Sequence, residues 1–286
     1  MRFTMERNIE TFLGCENTFE ESQIVIFGAP FDSTTSYRPG TRFASKTMRS
    51  ESYSIETYSL YQHRDLEDIC VYDAGDLELC FGDTKLALDS IEHMTDNILE
   101  FEKTPFMIGG EHLVTLGTVR AIAKKYPDLH VIHFDAHADL RDAYLGAELS
   151  HASVMHRVWD ILGDGRIHQF GIRSAERAEY EWGKEHVETT LFSFEGLDKL
   201  VENLQGKPVY FTLDLDVLDT SVFPGTGTPE VGGVSFQELL EAIIKISKLN
   251  IVGCDMNELA PNLDPTGAST AVALKLFREM LLAFNK

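Results

Sequence analysis

The chain predicts an α/β fold built on a mostly parallel sheet of about eight strands. Short apolar runs alternate with longer amphipathic stretches from residue 23 to residue 284. The runs are apolar throughout, as in sheets covered on both faces. Several of them close on acidic or histidine-bearing segments, and α/β proteins place their sites at the carboxyl ends of strands. With 286 residues, the chain is long enough for one large domain with a substantial core. No repeat, linker or low-complexity tract interrupts it, so residues 1–286 read as a single domain.

Residues 23–28 form the first strand, closed by Ala29-Pro30. The Ser-, Thr-, Gly- and Pro-rich stretch 31–41 is then a loop where binding loops are found, with Arg38 and Arg42 as its anchors. Residues 43–60 are compatible with helix but weakly patterned. A second short strand covers 69–72. Leu86, Ile91, Met94, Ile98 and Phe101 recur at helical spacing over 84–102. Strand 105–108 leads to a helix over 113–126, stopped by Pro127. Strand 129–134, a helix over 152–162 ending at Gly163, strand 166–172 and helix 175–186 follow. A short strand at 190–192, a helix over 195–204 and strand 208–213 come next. Ser235 and Glu238 make a capping box for a helix over 236–249. Strand 250–254 and a helix over 268–284 complete the chain. Spacing alone is compatible with both an open sandwich and a closed barrel.

Composition narrows the function classes. The 46 acidic residues against 25 basic ones give a formal charge of −21, which argues against nucleic acid as a partner. An acidic surface is solubilising, and it also steers cationic substrates. Residues 1–10 lack an apolar signal core. No apolar stretch approaches the ~20 residues that span a bilayer. Cys15, Cys70, Cys80 and Cys254 show no metal-ligand spacing, and three of them are expected as buried thiols. A cytoplasmic protein without membrane contact is the expectation.

The chemistry concentrates in three segments. Residues 133–139 read H-F-D-A-H-A-D after an apolar run. In extended backbone, alternate side chains share a face at ~6–7 Å repeats, so Asp135, His137 and Asp139 would converge. Carboxylate and imidazole without thiolate suit a hard or borderline divalent ion such as Mn²⁺. Taken alone, the segment fits a solvated strand end with capping aspartates equally well. Asp214 and Asp216 repeat the pattern after 209–213, and unpaired carboxylates at a buried strand end are costly. His112 follows Gly109-Gly110-Glu111 at the end of a third run. Together the three segments suggest one shared ion cluster. His130, His133, His168 and His186 are read as structural, and Pro224–Thr228 as a tight loop.

G-G-E-H at 109–112, D-A-H-A-D at 135–139, S-H-A-S at 150–153 and D-L-D at 214–216 together resemble the ureohydrolase family of arginases and agmatinases. P-G-T-G-T-P-E at 224–230 and D-M-N-E-L-A-P at 255–261 continue the likeness over nearly the whole chain. Segments 28–42 and 170–174 are worded as in its bacterial agmatinase branch. The resemblance implies the three-layer αβα sandwich. It also implies two Mn²⁺ ions, one held by His112, Asp135, Asp139 and Asp214, the other by Asp135, His137, Asp214 and Asp216. His151 is implied as proton relay, Asp139 as an aid to the attacking water, and Glu258 as partner of the substrate guanidinium.

The implied activity is hydrolysis of a small cationic guanidino compound. Agmatine is expected, giving putrescine and urea, with guanidinobutyrate and arginine as alternatives. An amidohydrolase acting on acetylated polyamines and a non-catalytic metal-binding regulator are the rival classes. Arg141 is the residue suited to a carboxylate, whereas Asp142 and Glu148 either sit near an alkylammonium or are simply solvated. The family further implies a homo-oligomer, trimer or hexamer. Thr220, Ala44-Ser45 and Ala152-Ser153 depart from its usual Pro, Gly-Pro and Gly-Thr. None of these removes a metal ligand.

Overall fold

The computed structural model describes residues 10–285. The reading of the first nine residues as free of a signal core lies outside the described residues. β1 (Ile24–Gly28) is followed by the helix α1 (Ala44–Ser52), and then by β2 (Tyr58–Ser59) and β3 (Arg64–Asp65). The latter two form a small antiparallel hairpin where the sequence pattern was too weak to announce one. The chain continues through β4 (Val71–Asp76), α2 (Thr84–Glu100), β5 (Thr104–Ile108), α3 (Thr115–Lys125) and β6 (His130–Phe134). Next come α4 (Val154–Leu162), β7 (Ile167–Ile172), α5 (Arg177–His186), β8 (Glu188–Leu191) and α6 (Leu197–Asn203). β9 (Pro208–Asp214), α7 (Phe236–Ile246), β10 (Asn250–Asn257) and α8 (Ala268–Phe284) complete it.

Eight strands form one sheet in the order β4-β1-β5-β10-β9-β6-β7-β8, and every pairing within it is parallel. Alternation along each strand feeds two cores. Ile24 and Ile26 of β1 join Phe106, Phe211 and Phe277 on the face covered by α1, α6, α7 and α8. Val25 and Phe27 join Met107, Val131 and Val119 on the face covered by α2, α3 and α4. The result is the open αβα sandwich and not a barrel: β4 and β8 remain as edges.

Ser235 caps α7 as expected, its hydroxyl and backbone paired with Glu238. Arg38 and Arg42 do anchor the loop after β1, Arg38 on the carbonyls of Thr226 and Gly227, Arg42 on Asp32. Two thiols are buried, Cys15 and Cys254, where three were expected. Cys70 is turned outward because Ile69 and Val71 on either side face the core. No helix among the described residues is long and apolar enough to cross a membrane.

Candidate metal centre

β5, β10, β9 and β6 are consecutive neighbours in the middle of the sheet, and their carboxyl ends deliver the six residues expected as ligands and Glu258. His112 follows β5 in a short 3-10 turn, and the Asp135–Asp139 segment follows β6. Asp214 ends β9 with Asp216 in the next 3-10 turn, and Glu258 follows β10. Residues 135–139 lie beyond the end of β6, but Asp135, Ala136 and Ala138 still hydrogen-bond to the Phe170–Ser174 segment, with His137 bridged to Ser174. Asp139 and Glu258 both hold left-handed backbone, with φ of 53° and 66°. Gly110 is required beside them, since a Cβ there would meet the Phe31 carbonyl at 1.9 Å.

His112 Nδ1 lies 3.0 Å from Asp135, 3.2 Å from Asp139 and 3.3 Å from Asp214. His137 Nδ1 lies 2.9 Å from Asp216 and 3.5 Å from the second oxygen of Asp135. Asp135 therefore touches both groups, as a bridging ligand would. All six expected ligands are brought together, and apart from the half-buried His137 all are buried. His112 Nδ1 and Asp216 Oδ2 have no hydrogen-bond partner despite complete burial. Polar atoms orphaned in this way are costly, and coordination would satisfy them.

Protonation points the same way. Burial, then Asp216 and Asp135, pushes the Asp214 carboxyl well above its ordinary range. Burial raises Asp216 too, with Asp135 adding to it against the pull of His137. For Asp135 burial is outweighed by His133 and His112, and its carboxyl is held low. For His112 the surrounding acids outweigh burial and raise the imidazole. Asp214 and Asp216 thus lack positive charge, which divalent ions would supply. The donor set fits divalent metal.

His133 also has a nitrogen near this cluster, grouped with His112 and Asp135. The network gives it a different part. The Gln169 amide nitrogen donates to the Ala138 carbonyl at 2.7 Å and to His133 Nδ1 at 3.0 Å. The Gln169 oxygen accepts from Thr189, which fixes the amide's orientation. His133 Nδ1 is thus an acceptor, and Nε2–H donates to Asp135 at 2.7 Å. It steadies the bridging carboxylate, as an outer partner of a ligand does.

A cavity of about 550 Å³ opens above the cluster, lined by His112, His137, Asp139, Asp214, His151 and Glu258, and also by Arg141, Glu179 and Glu230. Glu258 accepts from the His112 backbone at 2.8 Å. Burial, reinforced by the neighbouring Glu111, pushes its carboxyl well up. Glu111 is itself buried and is pushed to about 7 by desolvation, against donors from Thr34 and Thr35. Burial lowers the His151 imidazole.

A model of the arginase family matches residues 22–283. Proteins named agmatinase from Bacillus cereus and Bacillus subtilis are 45% and 43% identical, each over the full length of both chains. The solved agmatine ureohydrolase of Thermoplasma volcanium is 34% identical, with a TM-score of 0.89 over 97% of this chain and 95% of that one. A Clostridium difficile chain solved as a candidate agmatinase reaches 50% and 0.92, over 94% of this chain and 99% of that one. The chain belongs to the arginase family.

Against that family background, two expectations for the pocket mouth change. Asp142 pairs with Arg157 at 2.9 Å on the surface, and Glu148 is exposed, so neither lines the cavity. Arg141 does line it, but it lies 3.0 Å from Glu176 and 3.4 Å from Glu179 and stacks over Tyr144. Sequence reasoning missed Glu179, whose Oε2 is buried without a hydrogen bond and whose carboxyl burial pushes to about 7. An acid in a helix's first turn is expected for the helix dipole alone, so nothing in the sequence marked it. Glu111 and Thr34 were likewise hidden beside louder neighbours.

Proposed function

We propose that this member of the arginase family is a binuclear manganese hydrolase, one domain over residues 1–286, which cleaves agmatine to putrescine and urea in the cytoplasm. The observation that carries the substrate is the charge of the cavity wall. Asp139, Asp214, Glu258, Glu179 and Glu230 all line it, and the one arginine among its described lining residues is already engaged by two glutamates. A substrate cationic at both ends matches that wall, whereas a terminal carboxylate would have to compete for Arg141. The names of the relatives from Bacillus support the same reading.

His112, Asp135, Asp139 and Asp214 would hold one ion, and Asp135, His137, Asp214 and Asp216 the other. When bound, such a pair supplies a water activated as nucleophile near neutral pH. A guanidinium needs that help, because it stays protonated below a pKa of ~12 and its carbon is a poor electrophile. Glu258 accepts the guanidinium N–H groups and turns its carbon to the cluster. Asp139 accepts the proton of the attacking water. His151 returns a proton to the departing amine. The assembly is proposed as a trimer or hexamer, which light scattering measures.

Urea release from agmatine, guanidinobutyrate and arginine, with and without added Mn²⁺, tests the proposal. Agmatine should lead the other two by at least ~10-fold in kcat/KM, about 1.4 kcal/mol of discrimination, and turnover should follow Mn²⁺. Preference for guanidinobutyrate would assign Arg141 to the substrate carboxylate and overturn the agmatine reading.

A further inference from the structure

The loop after β1 meets His151 through two hydroxyls, those of Thr34 and Ser36. Thr34 donates its only hydroxyl proton to Glu111 Oε1 through a short hydrogen bond, and its backbone N–H donates to Oε2 of the same carboxylate at 2.8 Å. Thr34 Oγ1 can then only accept. It accepts from the His151 backbone N–H at 3.0 Å and lies 3.5 Å from His151 Nδ1. On the other side of the ring, Ser36 Oγ is 3.2 Å from Nε2. Glu111 is fully buried, and the Glu111 N–H donates to the Phe31 carbonyl at 2.7 Å. The carboxylate is therefore clamped into the loop it orders.

We infer that Thr34 is a positioning residue for His151: the Glu111–Thr34 clip turns the hydroxyl so that Nδ1 keeps its proton and Nε2 does the transfer. Ser150 Oγ also lies 3.4 Å from Nδ1, but Thr34, its proton committed to Glu111, is the one of the two that can only accept, and that favours the Nδ1–H tautomer. With the carboxylate as final acceptor, Thr34 accepts a hydrogen bond from Nδ1–H, which leaves the Nε2 lone pair facing the Ser36 hydroxyl beside the cavity. In turnover Nε2 first takes up a proton from solvent in the cavity, and that proton then leaves Nε2 for the departing amine. A new N–H bond forms on the amine, and the ring that remains is the neutral Nδ1–H form. Thr35, 3.3 Å from Glu111, belongs to the clip but does not reach the ring.

The inference rests on the relay assigned to His151 above, and the test separates the two. Thr34→Val keeps the side-chain shape and removes the hydroxyl, Thr34→Ser keeps the hydroxyl, and His151→Asn removes the ring. In Mn²⁺-loaded enzyme, Thr34→Val should lower kcat roughly 10- to 100-fold, with bound manganese and KM for agmatine unchanged. Thr34→Ser should restore kcat to within about threefold. The double variant Thr34→Val/His151→Asn should be no slower than His151→Asn alone, since the hydroxyl acts only through the ring. A double variant slower than His151→Asn, or loss of manganese in Thr34→Val, would make Thr34 merely structural and overturn the inference. A slow His151→Asn beside a fully active Thr34→Val overturns the positioning role alone. Full turnover in His151→Asn removes both.

Discussion

Asp139 and Glu258 adopt backbone that non-glycine residues avoid, at ~1–3 kcal/mol each. Both sit in the cavity wall, so the surrounding structure sustains that cost where geometry matters to the reaction. Glu179 is the residue whose part is most open to test. It is buried, one oxygen has no hydrogen bond, and among the described residues its one ion-pair partner is Arg141 at 3.4 Å. A charged hydrogen bond is worth ~1.5–3 kcal/mol. Glu179→Gln should therefore raise KM for agmatine by roughly 10-fold or more while kcat changes little, in steady-state urea assays. An equal loss in kcat would place Glu179 in the chemistry and not in recognition of the far end.

Neighbouring strands carry a second proton-sensitive arrangement, away from the cavity. On β6 and β7, His130 Nδ1 lies 3.0 Å from His168 Nε2, Arg166 donates to His130 Nε2 at 3.2 Å, and His168 Nδ1 meets Glu188 at 2.8 Å. Each ring donates once and accepts once, which only neutral imidazoles can do. Burial, then His168 and Arg166, lowers His130 to about 4, and burial lowers His168. The unfolded chain protonates near ~6.5, so between there and about 4 it binds more protons than the native state. Stability must then fall as pH falls through that window. Thermal unfolding at descending pH should show a shallower acid decline for His130→Gln than for the natural chain.

At the scale of the molecule, the charge of −21 favours encounter with cations, and the metal site proposed at the crowded aspartates predicts a stability linked to metal. A ligand at 100 times its Kd stabilises the native state by ~2.7 kcal/mol. Removing Mn²⁺ with chelator should lower Tm by several degrees, and replacing the metal should restore it. Asp214→Asn should abolish both that response and turnover, because Asp214 faces His112 and binds the backbone of Asp216. A variant with full turnover would refute the binuclear assignment.

The strands, the helices and the segments bearing the site were legible because apolar period and local motif are properties of the chain itself. Continuous apolar runs announced β5, β6, β9 and β10, and the same runs pointed His112, Asp135 and Asp214 toward carboxyl ends. The hairpin of β2 and β3 was not legible, since two residues per strand leave no period to detect. Sequence order could not reveal that β10 lies between β5 and β9, and that adjacency is what puts Glu258 against His112. Nor could it reveal the partners of Arg141, which passed from a candidate carboxylate contact to a paired cation. The physical reason is common to these cases. Residue type and spacing set what a side chain can do, but burial and the neighbour supplied by a distant segment set its charge, its free atoms and the direction of its hydrogen bonds.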